Sequence, residues 1–203
     1  NEIKLLKDDD FPKYTEQFQK QSMKTYKDNT YKSDHEFLPK ALALVREAYE
    51  RVIGKEPNDS QLMAAIGIYN GNIVEMAIGE GKILSLACSA YLNTIINKKV
   101  HIICRSDQLA LRYINTLKPL FLFLGVSVGF LDNEFQSNKK YSKIILSDIT
   151  FGSYYTFLNS SVKSLFLRQV AIIDDADILL EYSLNILLRL YRKISGFTNT
   201  AKN

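Results

Sequence analysis

One short segment restricts the possible folds of this chain more than any other feature. Residues 79–83 read GEGKI and lie between a short apolar run and a longer helical pattern. In phosphate-binding P-loops, G-x-x-x-x-G-K-[ST], loop amides surround the phosphates, the lysine reaches the outer phosphates, and the Ser or Thr hydroxyl holds Mg²⁺. Here Lys82 is kept, but Met76 takes the first position and Ile83 replaces the hydroxyl residue. The segment therefore predicts a phosphate-binding turn with a damaged metal site.

Short apolar runs and longer helical stretches alternate after Gly54. Strands are predicted at residues 73–76, 100–104, 126–130, 144–146 and 170–173. Helices are predicted at residues 82–96, 107–124, 150–158 and 184–194. Strands that alternate with helices indicate an α/β fold, in which helices cover both faces of a parallel sheet.

The residues before Gly54 have a helical pattern instead. Residues 11–27 show weak helical periodicity, and a stronger apolar stripe predicts an amphipathic helix between Pro39 and Gly54. The stripe consists of Ala41, Leu44, Val45, Ala48 and Val52. We therefore expect a helical region at residues 1–56 that packs on an α/β domain at residues 57–203.

Composition excludes several classes of protein. Hydrophobic residues make up 46% of the chain, which argues against disorder. The net charge of +4 is too small and scattered to predict a nucleic-acid partner. The longest apolar run, residues 119–131, is shorter than the about 20 residues of a membrane-spanning helix. Cys88 and Cys104 lie in apolar segments, which predicts reduced core thiols and a cytoplasmic setting.

A second motif follows the last predicted strand. Residues 170–173 are apolar and lead directly into Asp174, Asp175 and Asp177. In a Walker B strand, the first aspartate helps to hold Mg²⁺ and the next acid positions or deprotonates the attacking water. Alternatively, the acids cap a helix, and the glycine segment is only a turn between strand and helix. The two motifs in this order favour a nucleoside triphosphatase core.

The order of these segments resembles the first nucleotide-binding domain of SecA, the bacterial preprotein translocase motor, among the DEAD-type helicase-like motors. The glycine segment GEGKI and the acid segment AIIDDADILL carry the clearest similarity. The other matching segments are residues 38–54, 61–83, 90–104, 117–131, 147–157 and 188–201. The resemblance spans nearly the whole chain and implies a single RecA-like P-loop domain preceded by a helical segment.

The resemblance also implies roles for individual residues. Gln61 would contact the adenine of ATP or ADP, and Asp174 would face Mg²⁺. Asp175 would take the place of the catalytic glutamate. Thr198 and Thr200 would couple nucleotide state to a partner motor domain. The residues that would bind the phosphates are Gly79, Glu80, Gly81 and Lys82.

Several positions depart from the family pattern. Ile78 and Ile83 stand where the family has threonines, and isoleucine offers no oxygen ligand to Mg²⁺. Asp175 is one methylene shorter than the family glutamate, and displacing a catalytic group by ~1 Å can cost on the order of 100-fold in rate. Arg105 replaces an apolar residue, and the family segment TGTA reads TNTA at residues 198–201. The resemblance thus predicts weakened Mg²⁺ binding.

Two larger departures are expected. Residues 180–183 lead almost directly into the helix predicted from residue 184, so we expect the preprotein cross-linking insert to be missing. The second motor domain, which supplies an arginine finger worth roughly 10³–10⁵ in rate, is expected to be missing too. The sequence therefore predicts weak nucleotide binding and little or no independent ATP hydrolysis. The expected partner is a protein, such as a translocon component or a second motor domain in trans, and peripheral membrane association is compatible with this interpretation.

Two other interpretations stay open. The chain could be a pseudo-ATPase, in which the fold serves as a protein-interaction module and binds no nucleotide. The lost hydroxyl at Ile83 and the missing insert support this alternative. An RNA helicase fragment is a third interpretation, and the absence of a basic stripe argues against it.

Overall fold

A six-stranded parallel sheet forms the centre of the fold. The computed structural model describes residues 2–27, 34–96, 99–132, 144, 146–159, 169–177 and 189–199. In chain order the strands are β1 (Ile73–Glu75), β2 (Val100–Cys104), β3 (Val128–Leu131), β4 (Ile149–Ser153), β5 (Gln169–Ile173) and β6 (Tyr191–Thr198). Their order across the sheet is β1-β6-β5-β2-β4-β3, and every neighbouring pair is parallel. The predicted α/β fold class is confirmed.

Six α-helices accompany the sheet in the described part of the chain. They are α1 (Phe11–Lys27), α2 (Asp34–Ile53), α3 (Asp59–Tyr69), α4 (Lys82–Ile95), α5 (Asp107–Phe123) and α6 (Tyr154–Asn159). The apolar stripe of α2 is buried from Ala41 to Ala48, as its spacing predicted. None of the described helices combines the length and the apolar character that a membrane crossing needs.

Helix α4 lies in the centre of the core. All of its residues from Leu84 to Ile95 are buried, because α1, α2 and α3 pack around it on one side and the sheet lies on the other. Cys88 of α4 and Cys104 of β2 are buried free thiols, as predicted, and burial raises the pKa of Cys88 to about 12.

The N-terminal helices share this core. The Thr15 hydroxyl of α1 is 2.9 Å from the Tyr91 hydroxyl of α4, and both groups are buried. Phe11 and Phe18 belong to the same apolar cluster as the α4 side chains. These contacts join the helical region to the helix that begins at the glycine loop, and they thereby help to position the loop.

Two sequence predictions around β4 were wrong. The segment predicted as a helix at residues 150–158 forms strand β4 and only then the short helix α6. In the segment predicted as a strand at 144–146, Ile144 is helical and Leu146 lies in a turn. Ile149 and Phe151 are fully buried between β2 and β3, and this burial in a central strand outweighs the local helical pattern.

The end of the chain corrects a third prediction. Residues 191–194 were predicted to end a helix, but they begin β6, which lies between β1 and β5. Residues 189–190 of that predicted helix are helical, and residues 184–188 lie outside the described residues. The local sequence alone does not distinguish a helix from a strand here, and pairing of β6 with β1 and β5 on either side makes these residues part of a strand. Strand β3 also starts two residues later than predicted, at Val128.

Candidate functional site

The glycine loop connects the end of β1 with the start of α4. Gly79 and Gly81 have φ angles of 94° and 85°, a left-handed conformation that favours glycine. Gly81 is the N-cap of α4, and the Ala77 amide donates to the Glu80 carboxylate at 2.8 Å. The loop thus presents a helix N-terminus, where free amides and the helix dipole favour a phosphate. The predicted strand, loop and helix around residues 79–82 are confirmed.

Gln61 holds this loop in place. Its Nε2 donates to the carbonyl of Glu80 at 2.8 Å, and its Oε1 accepts from the amide of Asn58 at 3.0 Å. The Asn58 side chain accepts in return from the Gln61 amide, so the two residues form the capping box of α3. Gln61 therefore connects the start of α3 with the loop. Its predicted contact with adenine stays a prediction.

Lys82 lies at the centre of a network of acceptors. Its Nζ donates to Asn199 Oδ1 at 2.7 Å and to Asp175 Oδ1 at 3.0 Å. Asp174 Oδ1 lies 3.4 Å away, within ion-pair distance. The lysine side chain is only 15% exposed, so little water is available to weaken these contacts. One ammonium group thus lies within ion-pair distance of two neighbouring acids.

Asp174 is buried at the carboxyl end of β5. Its backbone amide donates to the Ile103 carbonyl of β2, and its Oδ2 accepts from the Tyr113 hydroxyl at 2.9 Å. Its Oδ1 is enclosed and accepts no hydrogen bond from any residue that the structure describes. Burial raises the pKa of Asp174 above its ordinary value of 3.8, and the opposing effects of Lys82 and Tyr113 do not cancel the increase.

Asp175 has an unusual backbone conformation. Its φ of 61° lies in the left-handed region, which costs an L-residue roughly 1–2 kcal/mol. Asp175 Oδ1 accepts both from Lys82 and from Asn199 Nδ2, the latter at 2.8 Å. These two bonds offset the strain, and they occupy Oδ1 of the carboxylate that would have to act on a water molecule.

The residues present do not fit direct coordination of Mg²⁺. Ile83 packs against the main apolar core, and Ile78 is 90% exposed in the loop, so neither offers an oxygen ligand. Within the described ranges, no three or more His, Cys, Asp or Glu side chains are grouped so as to hold a metal ion. Lys82 Nζ already lies beside both acids.

A cavity of about 570 Å³ lies between the start of α3 and the glycine loop. Asn58 and Ser60 line it from α3, Glu80 from the loop, and Met63 and Met76 add apolar surface. Its size is within the range of about 300–1,000 Å³ that is usual for small-molecule sites. The cavity lies beside Gln61 and is large enough for an aromatic ring next to the glycine loop.

The structure brings together most of the residues that the sequence predicted. Gly81, Lys82, Asp174 and Asp175 meet at the carboxyl edge of the sheet, and Gln61 contacts the loop through Glu80. Thr198, for which the resemblance implied a role in coupling to a partner domain, contacts the start of the loop through its carbonyl, which accepts from the Met76 amide at 3.0 Å. Thr200 lies outside the described residues.

Two residues of the site were missed. Tyr113 of α5 binds Asp174, and Asn199 binds both Lys82 and Asp175. Asn199 lies in the segment TNTA, where the family pattern is TGTA. This departure was the signal that could have identified it. Nothing in the sequence around Tyr113 distinguishes it from other helical tyrosines, because its partner is 61 residues away.

The burial of Asp174 predicts an effect on stability. We expect Asp174→Asn to raise the free energy of unfolding by about 1 kcal/mol near neutral pH, because an amide does not pay the desolvation cost of a buried charge. The folded state keeps the Asp174 proton to higher pH than the unfolded chain does. The wild type therefore loses stability relative to the variant as pH rises from 3.8 through the raised pKa. Urea unfolding across this pH range measures the difference.

Asp9→Asn is the matched control, since the same chemical change is made there on an exposed side chain. It should leave the pH profile of stability unchanged. An Asp174→Asn variant that is no more stable than the wild type at any pH would show that the carboxylate does not carry this cost.

Comparisons with known proteins agree with the fold. The family model described as the SecA DEAD-like domain matches residues 1–180. SecA of Treponema denticola is 35% identical over 152 residues, which cover 75% of this chain and 16% of that protein. SecA 2 of Staphylococcus epidermidis is 36% identical over 194 aligned residues, covering 87% and 24% of the two chains. SecA of Alcanivorax borkumensis is 39% identical over 148 residues, covering 73% and 16%.

A solved structure shows the same fold at low identity. The UvsW helicase of bacteriophage T4 superimposes with a TM-score of 0.57 at 15% identity, over 76% of this chain and 59% of the helicase chain. The chain spans less than a quarter of the length of the SecA relatives named above. Its RecA-like sheet and the match over residues 1–180 show that it belongs to the SecA family, within the SecA DEAD-like domain.

Proposed function

We propose that this SecA-family motor domain binds ADP or ATP weakly and without a requirement for Mg²⁺, and that it hydrolyses ATP slowly or not at all by itself. The observation that carries the proposal is the position of Lys82 at the N-terminus of α4, next to two left-handed glycines. The loop amides and the ammonium group would hold the phosphates, and the cavity beside Gln61 would hold the base.

Weak binding follows from the contacts that Lys82 already makes. Phosphate oxygens must compete with Asp174, Asp175 and Asn199 for the same ammonium group. The two acids also place negative charge close to the position that the phosphates would take. Both effects lower the affinity relative to a loop with an unengaged lysine.

Slow hydrolysis follows from the chemistry that the site lacks. Ile83 offers no hydroxyl to Mg²⁺, and Asp175 Oδ1 is held by Lys82 and Asn199. Oδ1 would have to leave both partners before it could take a proton from the attacking water, and a partner domain could supply that rearrangement.

We assign a role in protein translocation to the larger assembly of which this domain would be part. The relatives are protein translocase subunits, and this chain matches less than a quarter of their length. The proposed setting is the cytoplasm or the membrane surface, with a protein partner that completes the site. We also propose that residues 1–56 act as an integral helical region of the domain at 57–203, because Thr15 and Tyr91 join them in the core.

A protein-interaction module without nucleotide is the second candidate. The observation that favours it is Ile78, which exposes 90% of its surface at the tip of the glycine loop. A nucleotide would leave this apolar side chain in water, whereas a protein partner would cover it.

Calorimetric titration of the purified chain with ADP and ATP, in excess Mg²⁺ and in excess EDTA, tests the proposal. We expect measurable binding with the same affinity under both conditions. Binding that requires Mg²⁺ would contradict the metal-independent site. The absence of binding at millimolar nucleotide would instead favour the protein-interaction module.

A further inference from the structure

Asn199 joins the phosphate-binding lysine to the second acid of the site. We propose that Asn199 sets the nucleotide affinity of this domain, because its amide group holds Lys82 and Asp175 together and must be displaced by a bound phosphate. The inference rests on the proposed nucleotide binding, and it adds a residue that regulates access to Lys82.

The contacts of Asn199 form a closed ring of three side chains. Its Oδ1 accepts from Lys82 Nζ at 2.7 Å, and its Nδ2 donates to Asp175 Oδ1 at 2.8 Å. Lys82 Nζ closes the ring with its own bond to Asp175 Oδ1 at 3.0 Å. The bond to Asn199 is the shortest of the contacts that Lys82 makes in this network. The uncharged amide therefore contributes to holding the ammonium group in addition to the two acids.

The sheet holds Asn199 in this position. Asn199 follows directly after β6, and β6 pairs with β1 on one side and with β5 on the other. The Thr198 carbonyl accepts from the Met76 amide at the start of the glycine loop, which fixes the backbone next to Asn199. The amide group thus lies between β1, which leads into the glycine loop, and β5, which leads into the acids. The backbone pairing of β6 holds it in this position.

A phosphate group on the loop would need the same Lys82 donors. The Asn199 amide would then lose its bond to Lys82, while the loop amides would stay available. One hydrogen bond to a charged group typically changes an equilibrium constant by about tenfold or more. Removal of the Asn199 amide should therefore strengthen phosphate binding, although Asn199 lies in the site.

Two substitutions distinguish this role from a general structural one. Asn199→Ala removes the amide, and we expect ADP to bind at least about fivefold more tightly in EDTA, since one competing hydrogen bond is gone. Asn199→Asp keeps an acceptor for Lys82 but adds a negative charge, so ADP should bind more weakly than to the wild type. Damage to the loop would weaken binding in both variants, whereas competition for Lys82 predicts opposite changes.

Asn72→Ala is the matched control, because Asn72 is an exposed asparagine at the opposite end of β1. It should bind ADP as the wild type does, and thermal unfolding confirms that all variants are folded. If Asn199→Ala binds ADP no more tightly than a wild type that does bind, the inference is wrong while the proposed function stands. If Asn199→Ala binds ADP and the wild type does not, the amide blocks the site completely. The inference about Asn199 then stands, and the proposal that the wild type binds nucleotide is wrong. If neither binds, both fail.

Discussion

Lys82→Ala should reduce ADP binding by roughly 100-fold or more, below detection for a site that is weak already. The ammonium group is the positive side chain that the structure places at the glycine loop beside the acids. Without it, Asp174 and Asp175 would repel the phosphates with nothing to offset their charge. Calorimetric titration in EDTA, alongside the wild type, measures the loss.

The same substitution should also destabilise the fold. Asp174 is 2% exposed, and removing the positive partner of a buried charge typically costs about 3 kcal/mol. The double variant Lys82→Ala/Asp174→Asn should recover most of this stability but none of the binding, which separates the two effects. Lys20→Ala, at a lysine side chain that is 68% exposed, is the control. Wild-type affinity in the double variant would show that Lys82 does not bind the phosphate.

Gly81→Ala should be the most damaging single-methyl change in the loop. A Cβ at this position would lie 2.1 Å from Gln61 Nε2, far inside van der Waals contact, and the residue has a φ of 85°. Gln61 could move away only by giving up its bond to the Glu80 carbonyl. We expect a loss of about 3 kcal/mol in the free energy of unfolding, from backbone strain and the broken bond together. ADP binding should fall with it.

Gly79→Ala is a matched control within the same loop. Gly79 has a similar φ of 94°, but a Cβ there would meet no atom within 4 Å. Gly79→Ala should therefore lower the free energy of unfolding only by the left-handed backbone strain, about 1 kcal/mol. Urea unfolding of both variants gives the difference, and Gly81→Ala should cost less in a Gln61→Ala background than in the wild type. Equal costs at the two glycines would mean that Gln61 does not pack on the loop.

Short sequence patterns predicted the local structure correctly where a residue type favours a single conformation or environment. Glycines followed by a lysine predicted the turn and the helix start, and apolar residues leading into Asp174 predicted a buried strand with an acid at its end. The spacing in α2 predicted its buried stripe correctly. These signals depend on residues that are close in the sequence, so contacts with distant parts of the chain do not change the local structure that they predict.

Local patterns failed where the same residues suit two structures. Residues 149–153 and 191–194 carry no local signal that separates a strand from a helix, and both became strands inside the sheet. The choice depended on neighbours far along the chain: β4 fills the position between β2 and β3, and β6 the position between β1 and β5. Pairing of distant strands is not encoded in any short window of sequence.

The amino-acid sequence thus determined the plan of the molecule: a glycine loop that ends in Lys82 and a strand that ends in acids, within an α/β domain, with Ile83 after the lysine. Only the tertiary structure decided how these parts act on one another. Lys82 reaches Asn199 across 117 residues of chain and Asp175 across 93, because the parallel strands bring their carboxyl ends to one edge of the sheet. The state of the site depends on these long-range contacts, since they decide which acceptor holds the lysine.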